Sequence, residues 1–360
     1  FAAALDADSG GREGAFYLLT ARDVEEVLGV GEAAAFCRRF GIGAEERVPQ
    51  LLDDGRFESA WRENASACAR LAAFRRRRHR LHRDEKVLTA WNALAIAALA
   101  KAGRVLGETR YLRAAEDARL FLKTRLTRPD GRLYLRWLDR EPAVEGQLED
   151  YALYCWALLE LYGANFSVSC LREAAGLGDR MAELFEDREA GGFYRAGQDS
   201  EVLIARQKDV FDAAMPSGNA AAALALVGLA RLTGESRFRA LAGRQLNWLA
   251  GQAGDYPSEQ CFALLAMAEA LYPGLELVCV SAGEVPDWLA GVGEAYRLTA
   301  LAKTADKARG LARVAPYTAD YPIPAEGIRL YLCREGACQA PADTLEGLRR
   351  LLADRVYALS

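Results

Sequence analysis

Leu148-Glu-Asp-Tyr-Ala-Leu-Tyr-Cys-Trp-Ala-Leu-Leu-Glu-Leu-Tyr162 is apolar or small on nearly every side once its first turn is past. Leu171 to Phe185, close behind it, carries Arg172, Glu173, Asp179, Arg180 and Glu183 along one stripe. A helix that is apolar all round must be buried on all sides, whereas one with a charged stripe faces water. The pair therefore predicts an inner helix followed by an outer one. The same alternation runs in both directions along the chain. Val87–Val105, Ala214–Leu232 and Tyr256–Leu271 read as further inner helices, and Tyr111–Arg125 and Arg237–Ala250 as outer ones. Inner and outer in alternation is the pattern of a ring of helical hairpins.

A repeat supports this reading. Leu106-Gly-Glu-Thr-Arg-Tyr recurs as Thr233-Gly-Glu-Ser-Arg-Phe, and Ala164-Asn-Phe-Ser fills the equivalent place between them. Gly107 and Gly234 are 127 residues apart, or two units of roughly 60, a length suited to a helical hairpin. The predicted fold class is mainly α: a partial (α/α)6 toroid with a small C-terminal α/β appendage. Residues 1–83 read as an excursion over the functional rim, 84–272 as the toroid segment and 273–360 as the α/β region. Leu275–Val280 and Ile328–Cys333 are the expected strands there. Only four inner helices can be counted, so the ring is expected to be incomplete. Its open flank would be apolar, which predicts self-association or cover by another chain.

Composition narrows the function. Among 360 residues, 46 Lys and Arg face 50 Asp and Glu, which argues against a general nucleic-acid partner. The longest apolar run, Ala220–Ala230, is too short to span a membrane. Eight scattered cysteines without CxxC pairs point to reduced thiols and a cytoplasmic location. Cys333 and Cys338 form a CxxxxC, read as free thiols. No metal or cofactor is expected. The opening at Phe1 reads as a fragment of a longer protein.

Loop lengths select the candidate site. Outer-to-inner connections are long, Thr127–Gln147 and Asp187–Ala213, and in a hairpin ring they emerge on one rim beside the inner-helix N-termini. Those ends expose unpaired N–H groups. Each inner helix opens on carboxylates, amides or aromatics. His82, Asp84, Lys86, Asp150 and Asp212 are the candidate catalytic residues. Asp6, Asp8, Trp91, Asn92, Tyr151, Lys208, Ser217 and Asn219 are the candidate ligand contacts. Carboxylates with aromatic faces suit a sugar-like small molecule. The same Asp and Ser residues also suit ordinary helix capping. Asn92 and Asn219 lie inside apolar helices, where capping does not explain them.

These motifs resemble the C-terminal part of the thioredoxin-domain proteins related to spermatogenesis-associated protein. The resemblance is carried by Leu5-Asp-Ala-Asp-Ser9, Asp84-Glu-Lys-Val-Leu-Thr-Ala-Trp-Asn92, Leu148-Glu-Asp-Tyr-Ala152, Gly191-Gly-Phe-Tyr194 and Met215-Pro-Ser-Gly-Asn219, with Cys333 and Cys338-Gln-Ala-Pro341. Leu81, Glu85 and Glu149 depart from the family's usual residues. The resemblance implies an upstream thioredoxin-like domain and further hairpins outside this chain. It also implies a six-hairpin toroid like that of N-acylglucosamine 2-epimerase. Two functions follow as expectations. One is a sugar enzyme, epimerase-like or glycoside hydrolase-like. The other is a non-catalytic binding module that partners a thioredoxin-like domain.

Overall fold

A computed structural model describes residues 1–52, 57–201, 205–254, 256–272, 274–334 and 337–356. The chain divides into two compact units: residues 2–86, and Phe1 together with 87 onwards.

In the first unit β1 (Ala4–Leu5) pairs with β4 (Arg83–Asp84), and β2 (Asp8–Ser9) with β3 (Arg12–Glu13). Helices α1 (Ala21–Leu28), α2 (Val30–Arg39) and α3 (Phe57–Arg78) pack around Val24, Leu28, Phe36, Phe40 and Leu71. Thr20 and Asp23 close a reciprocal capping box at the start of α1.

The second unit opens with β5 (Val87–Leu88), which joins the hairpin β6 (Tyr134–Leu138) and β7 (Glu141–Glu145) in one small sheet. Its body is a run of hairpins. Inner α4 (Thr89–Leu106) is followed by outer α5 (Thr109–Phe121), α6 (Leu148–Asn165) by α7 (Val168–Leu184), and α8 (Gly218–Thr233) by α9 (Ser236–Gln252). A fourth inner helix, α10 (Cys261–Leu271), ends the run with no outer partner among the described residues. The inner helices lie side by side in chain order, α4, α6, α8, α10. They form an arc of an α/α toroid, as the alternation predicts. The third and fourth inner helices begin later than expected. Met215-Pro-Ser217 and Tyr256–Gln260 are lead-in turns, because Ser217 caps α8 and Pro257 opens a short 3-10 turn.

The repeat has a geometric cause. Gly107 and Gly234 follow α4 and α8 with φ of 68° and 69°, and Phe166 follows α6 with φ 50°. Each turn from inner to outer helix thus passes through one left-handed residue, where glycine carries no steric cost.

The C-terminal part forms a four-stranded sheet, β11-β10-β8-β9. Its strands are β8 (Glu276–Ser281), β9 (Thr299–Lys303), β10 (Ile328–Arg334) and β11 (Ala337–Cys338). Helix α11 (Leu289–Ala295) links the parallel pair β8 and β9; α12 (Ala305–Val314) and α13 (Leu345–Val356) follow. This layer packs on the arc: α11 meets α4 and α6, β9 meets α6 and α8, and α12 meets α7. One continuous core runs through both, from Ile96, Tyr154 and Leu226 to Leu277, Leu301 and Leu330. Even so, α10 leaves Leu264, Leu265, Leu271 and Tyr272 exposed at the open end of the arc.

One expectation is corrected here. Cys333 and Cys338 are not free thiols but a disulfide. Antiparallel pairing of β10 with β11 sets them directly opposite each other, a register that a bare CxxxxC spacing does not reveal. Glu335 and Gly336 of that motif lie outside the described residues. The other six cysteines are free. No helix among the described residues is long and apolar enough to cross a membrane.

Candidate functional site

The inner helices begin on one rim of the arc, where the long connections arrive. Most polar residues predicted there hold the rim together. Asp150 is buried; its Oδ1 accepts the Ala90 N–H at 3.0 Å and its Oδ2 the Gln147 N–H at 2.9 Å. One carboxyl group therefore ties the starts of α4 and α6. Burial pushes it up to about 8, against the two amides that favour its anion. Asp212 does the same one step along the arc. Its Oδ1 accepts from Ser217 N at 2.9 Å and its Oδ2 from Phe262 N at 2.8 Å, tying α8 to α10. Ser217 Oγ in turn accepts from Ala220 N.

Asn219 is fully buried. Its amide accepts from Phe193 N and Gln245 Nε2, and donates to the carbonyls of Phe193 and Asp209. Asn92 donates to the carbonyls of Leu88 and Phe1. Tyr151 is buried, and its hydroxyl accepts from Leu133 N. Lys208 closes the loop after α7. Its Nζ donates to Asp187 at 2.7 Å and to the Gly191 carbonyl at 2.6 Å, and lies over the rings of Tyr194 and Trp248. Lys208, Ala190 N–H and Tyr194 together hold Asp187 well below the usual carboxylate range. Asp150, Asp212, Tyr151, Asn92, Lys208, Ser217 and Asn219 thus all make structural hydrogen bonds at the rim. A buried amide without a partner is costly, and these side chains supply the partners.

The remaining predicted residues are Trp91, 45% exposed at the start of α4, and a group in the unit of residues 2–86. There Lys86 Nζ pairs with Asp84 at 2.9 Å, and Asp84 Oδ1 accepts the Lys86 N–H. Lys86 is the first cause of the low pKa of Asp84. Asp6 N donates to the His82 carbonyl, and Asp6 Oδ1 accepts from Asp8 N in a local turn.

The rim also presents Glu149 and Asp209, which lie in the predicted helix openings but outside the candidate residues, together with Arg195, which the sequence does not single out. Glu149, beside Asp150 in the chain, is half-buried. Burial lifts its pKa, Arg195 opposes the rise and Asp209 adds to it. Arg195 Nε lies 3.5 Å from Asp209 Oδ2 and donates to Gln147 Oε1 at 2.7 Å. Further along, Phe211 and Tyr256 are exposed and meet edge to face. The signal that separates Glu149 from its neighbour is helical phase. Asp150 is the third residue of α6, the position that folds back on Gln147, which leaves Glu149 outside that capping box. The two carboxyl groups and one guanidinium can accept and donate to hydroxyls, and the lifted Glu149 is placed to carry a proton. Among the described residues no group of three or more His, Cys, Asp or Glu is set to hold a metal ion.

Arc and rim together define an α/α toroid with a polar rim. In sequence the chain is homologous to spermatogenesis-associated protein 20. It is 33% identical to the protein of Rattus norvegicus over 230 residues, which is 60% of this chain and 26% of that protein. It is 32% identical to that of Homo sapiens over 210 residues, 54% of this chain and 25% of the relative. The chain thus spans about a quarter of the length of these curated relatives. No model of a known protein family matches it. Among solved structures it is similar to cellobiose 2-epimerase from Spirochaeta thermophila DSM 6192, at 18% identity, 59% of each chain and a TM-score of 0.43. It is also similar to a family 76 glycoside hydrolase from a bovine Bacteroides thetaiotaomicron strain, at 12% identity, 67% of this chain, 55% of that one and a TM-score of 0.45. A likeness of that degree carries no information on substrate or reaction.

Proposed function

We propose that the rim binds a sugar-like, polyhydroxylated ligand and that Glu149 and Asp209 handle its hydroxyl or glycosidic oxygen. The observation that carries this reading is the Glu149–Arg195–Asp209 group. One carboxyl has a lifted pKa, and the other is ion-paired 3.5 Å from a guanidinium. Two carboxyl groups in unlike environments suit a proton donor and its ionised counterpart. Trp91 and the Phe211–Tyr256 pair offer exposed aromatic faces on the same rim for stacking on a sugar ring. Carboxylate chemistry of the hydrolase kind is favoured over an epimerase built on histidines. Both histidines of the chain, His79 and His82, belong to the unit of residues 2–86, and neither is a member of the Glu149–Arg195–Asp209 group.

The test is thermal stabilisation by a panel of mono- and disaccharides, sugar acids and polyols, followed by hydrolysis of aryl glycosides of any sugar that responds. The reading expects a sugar that raises the melting temperature of the parent chain by several degrees, and no such rise in Glu149→Gln or Asp209→Asn. A rise of equal size in both variants would remove the ligand from this group. Binding that survives with no turnover would favour a non-catalytic binding module.

A further inference from the structure

The opposite ends of the inner helices border a concavity. A cleft of about 1250 Å³ lies between the C-terminal halves of α4, α6, α8 and α10 and the C-terminal α/β layer. Its volume exceeds the roughly 300–1,000 Å³ of ordinary small-molecule sites, so a guest would fill part of it. Its apolar wall comes from Trp156, Leu159, Leu224, Leu232 and Leu289.

The charges on this wall are unequal. The carboxylates are Glu160, Glu269 and Glu294, and all three are already ion-paired. Arg104 bridges Glu160 at 3.0 Å and Glu294 at 2.7 Å, and Lys101 also reaches Glu294 at 3.2 Å. Arg231 and Arg297 share Glu269, at 3.0 and 3.1 Å. Arg334 adds a fifth cation to the lining. Five cations therefore stand against three carboxylates. The surplus is positive, although Arg104 Nε itself is buried and makes no hydrogen bond among the described residues. Guanidinium groups with spare N–H bonds in an apolar surround favour a carboxylate, sulfonate or phosphate over a neutral guest.

We propose that this cleft is a binding site for an organic anion: an apolar body that lies along Trp156 and Leu159, with one acidic group turned to Arg104 and Arg297. It is distinct from the rim site and does not depend on it. The probe is 1-anilinonaphthalene-8-sulfonate, with uncharged N-phenyl-1-naphthylamine as its control, in fluorescence titrations of the whole chain. The expected result is one saturable site per chain, with the uncharged probe bound at least ten-fold more weakly. Arg297→Gln removes an exposed cation, and Ala268→Phe fills the cleft from an exposed position on α10. Each should weaken the sulfonate probe ten-fold or more, while Glu149→Gln leaves it unchanged. Equal binding of the two probes, binding without saturation, or full binding by Ala268→Phe would overturn the proposal. The last result would place the probe on the exposed apolar flank of α10 instead.

Discussion

The two ends of the same inner helices are built on opposite rules. At the N-terminal rim, buried or half-buried polar side chains bind backbone of a neighbouring element: Asp150 joins α4 to α6, Asp212 joins α8 to α10, and Asn219 fastens the loop after α7. At the C-terminal mouth, the polar groups are long ion-paired side chains around an open cleft. The difference follows from the helix itself. An N-terminus leaves N–H groups that a short Asp or Asn can satisfy at close range, whereas a C-terminus leaves carbonyls that attract long cations. The lesson is that a carboxylate at a helix start needs its amide partners counted before it is read as chemistry.

That contrast can be broken at the rim first. Asn219→Ala strips partners from Phe193 N and two carbonyls, and should cost about 3 kcal/mol in urea unfolding. Gly192→Ala comes next. Gly192 has φ 76°, and an added Cβ would stand 2.5 Å from the Trp248 ring, so about 2 kcal/mol is expected, with Lys208 displaced from Trp248. At the mouth, Arg104→Gln removes two partly exposed ion pairs and should cost only about 1 kcal/mol, a loss that shrinks in 1 M salt. The rim variants should show no such salt response. The pH dependence sharpens the same point. The Asp150 carboxyl sits near 8 in the fold against an ordinary value of about 3.9 when unfolded. Its contribution is complete below about pH 4 and is lost as pH rises through 8. Unfolding at pH 5 and pH 8 should therefore show a larger gap between parent and Asp150→Ala at pH 5.

The arc was legible because its signal is long. Four apolar helices alternating with charged ones, and a turn repeated at Gly107, Phe166 and Gly234, survive any error of a few residues in where a helix begins. The Cys333–Cys338 disulfide was not legible, since it depends on the register of a two-residue strand. Of the proposed site, the rim was legible and the individual residues were not. Helix starts and long loops indicate the rim, but Glu149 and Asp150 are adjacent carboxylates, and only the turn of α6 separates the one that caps from the one that does not. Arg195 and Asp209 come from the loop after α7, whose path carries no periodic signal.

Those adjacent carboxylates offer the most direct measurement: urea unfolding at pH 7 of Glu149→Gln and Asp150→Asn, side by side with the parent chain. Asp150→Asn puts an amide donor against one of two backbone N–H groups and should lower stability by about 2 kcal/mol. Glu149→Gln should stay within about 0.5 kcal/mol of the parent. Equal losses, or a larger loss from Glu149→Gln, would contradict the division of the rim into clamp and site.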